Sequence, residues 1–295
     1  RQRIIRPQSR NKGVQLKMEN KIIPLNIVFT YPVHWKTFQI FRDYIQNFYD
    51  SVPCDQWYER FHYDFHDNTL SMRIEGQTFN YEWLLHIGAS TKTNSDQKHA
   101  GYFGEGFKIA SLCALRDKHW EIRMSSGNWS LKVIHTDHII DGKKVQMLAY
   151  DLAESEINIP KSELILQGIS NEDFNIFKIA LKSFYYPENE LLGEKIWEDC
   201  DGAVYTRSKA QYDYELPYNY NFGRKGIVFC GYQIRGSNPF DLVVCLHDFE
   251  QNDRERDSLL EMEVVTVFKR MSAILPAEAS FKIVEKMRRV WISNS

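Results

Sequence analysis

Read along the chain, the elements run strand, helix, strands, a long polar loop, helix and then several strands. This order predicts an α+β fold, a two-layer α/β sandwich with helices on one face of a mostly antiparallel sheet. Composition supports it: 43% of the 295 residues are hydrophobic and 26% charged, enough to fold by burial and long enough for one large or two ordinary domains. No internal repeat, low-complexity tract or Gly/Ser linker breaks the pattern.

Each element has its own signal. Ile22 to Tyr31 reads as a strand, and Trp35 to Ser51 as a helix because Phe38, Phe41, Ile45, Phe48 and Tyr49 recur at helical spacing. Tyr58 to Phe65 and Thr69 to Glu75 read as strands; in the second, Leu70, Met72 and Ile74 alternate with other residues ahead of Glu75-Gly76. Tyr81 to Ile87 reads as a short helix and Phe107 to Arg116 as an apolar one. Between them, Gly88 to Gly106 is long, polar and glycine-bearing, as functional loops are. Strands follow at His119 to Ser125, Trp129 to His135, Lys144 to Asp151 and Glu163 to Gln167, then a helix at Asn171 to Phe184.

The proline-bearing stretch Tyr186 to Lys195 marks a boundary. Residues 1–20 are then a basic arm, 21–186 a first domain and 187–295 a smaller α/β domain. The latter has strands at Ala203 to Arg207, Lys225 to Ile234 and Leu242 to His247, and helices at Asp257 to Leu275 and Ala279 to Trp291.

With 37 Lys and Arg against 39 Asp and Glu, no global basic field draws nucleic acid to the chain. Five cysteines without a CxxC point to a reducing, cytoplasmic setting and buried thiols. No apolar run approaches the ~18 residues of a membrane helix and no signal-peptide pattern opens the chain, so a membrane is not an expected partner.

The sharpest chemical signal is Gly101-Tyr102-Phe103-Gly104-Glu105-Gly106-Phe107-Lys108, a GxxGxG turn running into an apolar helix. Glycines let the backbone approach a ligand, and amides at a helix start favour an anion such as phosphate. A tight turn that merely begins a helix is an equal reading of the turn alone. Upstream, Asp43 and Asn47 share a helix face, with Asp50 one turn further on. A carboxylate beside an amide oxygen suits a polarised water and a hard cation such as Mg²⁺, though by itself such a pair is more often a solvated face. Ser90, Thr91 and Lys92 precede the glycines and suit phosphate oxygens, as do many exposed loops. The pairs His62/His66 and His135/His138 have metal-like spacing but no third ligand nearby. The Tyr-rich stretch Tyr212 to Phe222 could stack on bases or cover a core edge.

In order, an acid-x-x-x-Asn helix, a strand ending in acid-Gly, a Gly-Ala-Ser-Thr-Lys loop and a GxxGxG turn entering FKIASLCALRD make residues 38–170 resemble the GHKL ATPases. That superfamily includes gyrase, the large heat-shock chaperones, histidine kinases and MutL. The resemblance implies the histidine kinase-like ATP-binding (Bergerat) fold, with ATP and Mg²⁺ as ligands. It makes Asp43 the general base, Asn47 the Mg²⁺ ligand and Asp50 part of the pocket floor. Glu75 and Gly76 would contact the adenine, with Asp67 a rival acid. Gly101, Phe103, Gly104, Glu105, Gly106, Phe107 and Lys108 would form the phosphate turn, and residues 88–100, with Ser90, Thr91 and Lys92, a lid. Ser162 would place a hydroxyl near the adenine or phosphates. GRKGIVFCGYQIR and DFEQNDRERDSL resemble the transducer-type domain that follows many such modules, with Arg254 and Arg256 candidates for sensing the γ-phosphate; a charged turn opening a helix reads equally well.

The implied function is a nucleotide-driven conformational switch or dimerisation clamp, in which nucleotide promotes homodimerisation. Such modules serve DNA maintenance, chaperoning, signalling and bacterial or phage defence. Asp43 stands where the family usually has Glu, which implies slow hydrolysis, and Glu75-Gly76 is a reduced adenine box. Two alternatives therefore stand beside the ATPase: a degenerate scaffold or interaction protein without turnover, and a nucleic-acid-processing subunit whose specificity comes from a partner.

Overall fold

The computed structural model describes residues 19–85, 105–212, 226–249, 259 and 261–293. It has mixed α and β structure in two five-stranded sheets. The first holds β1 (Glu19–Val28), β2 (Phe61–His66), β3 (Thr69–Glu75), β4 (Glu121–Ile140) and β5 (Lys143–Gln167). β5 is its spine, with β4 antiparallel along one edge, β1 and β3 following one another on the other, and β2 outside β3.

Four separate strands were expected where the structure has β4 and β5, a hairpin of two long strands. The reason is a bulge at Gly127, whose φ of +62° a β-carbon would strain. It shifts the alternation, so that Ile122, Met124 and Ser126 point inward before it and Trp129, Leu131 and Val133 after it. Residues 156–160 of β5 are exposed, which breaks its apolar pattern in the same way.

One face of this sheet is covered by α1 (Thr37–Tyr49), α3 (Gly106–Asp117) and α4 (Asn171–Lys182), with α1 packed against both others. Phe41 of α1 stacks on Trp120 at 5.1 Å and meets Phe177 of α4 edge-on at 5.5 Å. The residues expected to open a strand at Tyr58 instead form a helical turn, α2 (Trp57–Arg60), held by Trp57 stacked on Phe61 at 4.2 Å.

The second sheet holds β6 (Leu192–Glu198), β7 (Gly202–Arg207), β8 (Gly226–Cys230), β9 (Gln233–Asn238) and β10 (Leu242–Leu246), in the order β6-β7-β10-β8-β9. Only the β8–β10 pair is parallel. Its strands are buried on both faces, which explains their continuous apolar runs. Val204, Val228 and Val244 pack under α5 (Glu261–Ile274) and α6 (Ala277–Ser293), while Ala203, Phe229 and Cys245 face Tyr185 and Leu191.

One reading needs correcting here. Lys225 to Ile234 is not one strand but the β8–β9 hairpin, turned at Gly231-Tyr232 with φ +54° and +67°. Residues 186–195 run into β6, and Asn189, 2% exposed, donates to the carbonyls of Lys182 and Phe184. The two parts are stitched together. Tyr185 N–H donates to the Tyr232 carbonyl at 2.9 Å, Ile234 N–H to the Ser183 carbonyl at 2.8 Å, and the Tyr49 hydroxyl to the Tyr185 carbonyl.

Candidate functional site

The candidate site begins on α1. This helix is buried almost all round, and the buried set includes Arg42, Asp43 and Gln46 among its apolar residues. Burying charge costs several kcal/mol per ion unless it is paired. Asp43, with a side chain 5% exposed, is paired: its Oδ2 accepts from Arg42 Nη2 at 2.9 Å and Nε at 3.2 Å. An exposed acid face was the ordinary reading, and for Asp43 the structure overturns it.

The second component is the start of α3. A β-carbon at Gly106 would lie 2.5 Å from Asp43 Oδ1, so only glycine lets this helix begin against that carboxylate. First-turn amides of a helix lack intrahelical acceptors and carry partial positive charge, and α3 has no acid in its first turn. Asn47, one turn after Asp43 and exposed, donates its Nδ2 to the Asp43 carbonyl at 2.8 Å, which leaves the amide oxygen for a cation. Asp50 caps the C-terminus of α1 and accepts from Gln46 Nε2 at 3.4 Å. The fold thus sets Asp43 against Gly106, with Asn47 one turn further along α1.

Other predicted residues are placed differently. Phe107 is buried, edge-on to Tyr44 at 5.6 Å and Tyr150 at 6.3 Å, and packs the core. Lys108 is 2% exposed and lines a 180 Å³ cavity with Asn26, Tyr31 and Glu105; burial lowers its ammonium to about 8, against the opposing charge of Glu105. Ser162 is buried in β5, its Oγ donating to the Gln77 carbonyl at 2.9 Å and lying 2.8 Å from Ser126 Oγ. Ser126 Oγ in turn accepts from Phe79 N–H at 2.9 Å. These hydroxyls pin the chain that follows Glu75-Gly76.

Glu75 is not brought to Asp43. It is exposed and shares an outward face with Arg73, 3.5 Å away, whereas Leu70, Met72 and Ile74 face the helices. The inward position at the end of β3 is therefore an isoleucine. Gly76, at φ +69°, donates its N–H to the Pro160 carbonyl at 2.7 Å, and Arg60 donates to the Glu75 carbonyl at 2.8 Å. Asp67 is exposed in the β2–β3 turn. Ser90, Thr91, Lys92, Gly101, Phe103, Gly104, Arg254 and Arg256 lie outside the described residues.

Sequence reading missed Arg42 and Ser126. Both left a signal: Arg42 interrupts an apolar helix beside an acid, and Ser126 continues the inward phase of Ile122 and Met124. The thiols were expected to be buried, yet Cys54 is half-buried and Cys200 exposed. Among the described residues, the grouping with ligand atoms close enough for a metal is Asp199, Cys200 and Asp201, exposed neighbours in one turn. No described helix is long and apolar enough to cross a membrane. No family model and no curated protein matches the chain.

Proposed function

We propose that this chain is an ATP- and Mg²⁺-binding module of the GHKL type with a Bergerat-like first part and a transducer-like second part. It acts as a slow ATPase and nucleotide-driven switch that promotes homodimerisation. The observation that carries this reading is the contact between the Asp43 carboxylate and Gly106 at the start of α3. A charged carboxylate held against a helix N-terminus provides, within one small volume, a group to orient water and amides to receive phosphate oxygens. Asn47 supplies the amide oxygen for Mg²⁺. Arg42 holds Asp43 in place and competes for its oxygen, which together with the short side chain slows turnover.

The test is thermal stability with and without Mg²⁺ and a non-hydrolysable ATP analogue, since ligand at about 100 times its Kd stabilises the native state by about 2.7 kcal/mol. A shift lost in Asn47→Ala, and turnover lost in Asp43→Ala, are the expected results. No shift at millimolar nucleotide rejects the reading. A second reading, a scaffold of the same fold without turnover, is favoured by the outward Glu75 and the inward Ile74, so that β3 itself offers no carboxylate to an adenine amino group on its inward face. A cytoplasmic role in DNA maintenance or antiviral defence belongs to the same proposal.

A further inference from the structure

The long strand β4 is bent hard at its bulge. Glu121 and Lys132 are eleven residues apart along it, which is about 36 Å in an extended strand, yet Lys132 Nζ meets Glu121 Oε2 at 2.8 Å. The kink lies between them, where the β4–β5 register shifts from Ser126 to Gly127 and again from Gly127 to Trp129. Both side chains alternate with the inward Ile122 and Leu131, so they belong to the face away from the helices. The sheet therefore folds toward that face and encloses a crevice of 520 Å³ between its two arms.

The crevice carries charge of both signs, with Arg123 and Lys132 lining it beside Asp151 and Glu163. Glu163 is engaged, accepting from Lys161 at 3.0 Å and from Ser71 Oγ at 3.1 Å. Glu121 serves two cations, Lys132 at 2.8 Å and Arg123 Nη2 at 3.8 Å, so the Arg123 side stays positive. Lys132 stands opposite Asp151 in the β4–β5 register but turns its ammonium away to Glu121. Among the described residues, the half-buried Asp151 carboxylate accordingly has neither an ion pair nor a hydrogen-bond donor. The Ser125 and Ser130 hydroxyls also line the crevice, and Ala153 and Ile165 give it apolar surface.

We propose that this crevice binds a small zwitterion, a free aliphatic α-amino acid with its ammonium on Asp151, its carboxylate toward Arg123 and its side chain against Ala153 and Ile165. A polyanion would meet Asp151 and Glu163, and a polycation would meet Arg123 and Lys132, whereas a zwitterion satisfies both signs at once. Hydrogen bonds between ionised groups are the strong ones, and a half-buried carboxylate gains more from a cation than one in open water. The crevice lies on the face of the sheet opposite α1 and α3, and the proposal holds whether or not nucleotide binds.

The test is isothermal titration of the full chain, at fixed ionic strength and without nucleotide, with three probes. These are L-leucine, isocaproate, which is leucine without its ammonium, and isoamylamine, which is leucine without its carboxylate. Saturable leucine binding is expected, with each comparator about ten-fold weaker or more, as loss of a charged hydrogen bond implies. Asp151→Asn should weaken leucine about ten-fold without weakening isocaproate, and its urea unfolding should match the wild type because the carboxylate has no partner to lose. Arg123→Gln should weaken leucine and spare isoamylamine. Asp55→Asn, an exposed acid beyond the end of α1, should change nothing. Absence of saturable leucine binding at millimolar concentration, comparators as tight as leucine, or equal leucine affinity in Asp151→Asn and the wild type overturns the proposal.

Discussion

Replacing Gly106 by alanine is the most direct probe of the contact on which the functional reading rests. Alanine is favoured over glycine inside a helix by about 1 kcal/mol, so a substitution at an open position of α3 would stabilise the protein. Here the added carbon would sit 2.5 Å from Asp43 Oδ1, and the carboxylate cannot retreat without disturbing its two bonds to Arg42. Overpacking of this kind costs about 1–3 kcal/mol, so against the helical gain the net expectation is a loss of up to about 2 kcal/mol. Asp43→Ala alone breaks a buried ion pair with Arg42 and should cost about 3–5 kcal/mol. In that background the alanine at 106 finds room and should be neutral or slightly stabilising. The coupling in the double-mutant cycle is therefore about 2 kcal/mol, and urea unfolding followed by circular dichroism with constant m-values measures it. Additive effects, or a Gly106→Ala protein more stable than wild type, would refute the claim that α3 starts against the carboxylate.

Three further outcomes follow from other parts of the molecule. Ser162→Ala should lose about 1–3 kcal/mol, because it strips partners from the buried Ser126 hydroxyl and the Gln77 carbonyl, and Ser126→Ala combined with it should cost less than the sum; additive losses in urea unfolding would argue against one network. Lys108 titrates at about 8 in the folded chain against its ordinary 10.5. Between those values the unfolded state binds more protons, so this residue makes stability rise with pH, and the penalty is fully present below about 8. Lys108→Met should remove that rise and be the more stable protein at pH 7; parallel stability curves for the two proteins across this window would dismiss the assignment. Thiol labelling at pH 8 should modify the exposed Cys200 first and Cys54 slowly, with Cys113, Cys230 and Cys245 protected until unfolding, and early modification of Cys230 would contradict the buried second sheet.

The helices and most strands of the first part were legible because their apolar spacing is regular: Phe38, Phe41, Ile45 and Phe48 specify α1, and Leu70, Met72 and Ile74 specify β3 with its inward face. What misled was local irregularity. The bulge at Gly127 shifts the period of β4 and makes one strand read as two, and the Gly231-Tyr232 turn is too tight to interrupt an apolar run visibly. The site was half legible. Asp43 and Gly106 stand out by residue type and order, but that they meet is tertiary, joining positions 63 apart in sequence. For Glu75, strand parity carries information that residue type does not, since alternation from Leu70 sends it outward.

The position of α1 ties the site to the second sheet. Its thirteen residues span about 20 Å at 1.5 Å each, with Asp43 against α3 at mid-helix and Gln46 and Tyr49 toward the C-terminal end. Gln46 Oε1 accepts from Gln233 Nε2 of β9 at 3.0 Å, and the Tyr49 hydroxyl bonds the Tyr185 carbonyl. Close-packed interiors transmit displacement, so a shift of α1 that reorganises the Asp43–Gly106 contact has to be absorbed at β9 as well. The seam is suited to moving. Gln233 Oε1 is buried without a partner among the described residues, and an unsatisfied buried polar atom costs about 1–3 kcal/mol that a second arrangement could recover. The proposed switch requires an element with two arrangements, and α1 with its Gln46–Gln233 bridge is the place to test for one.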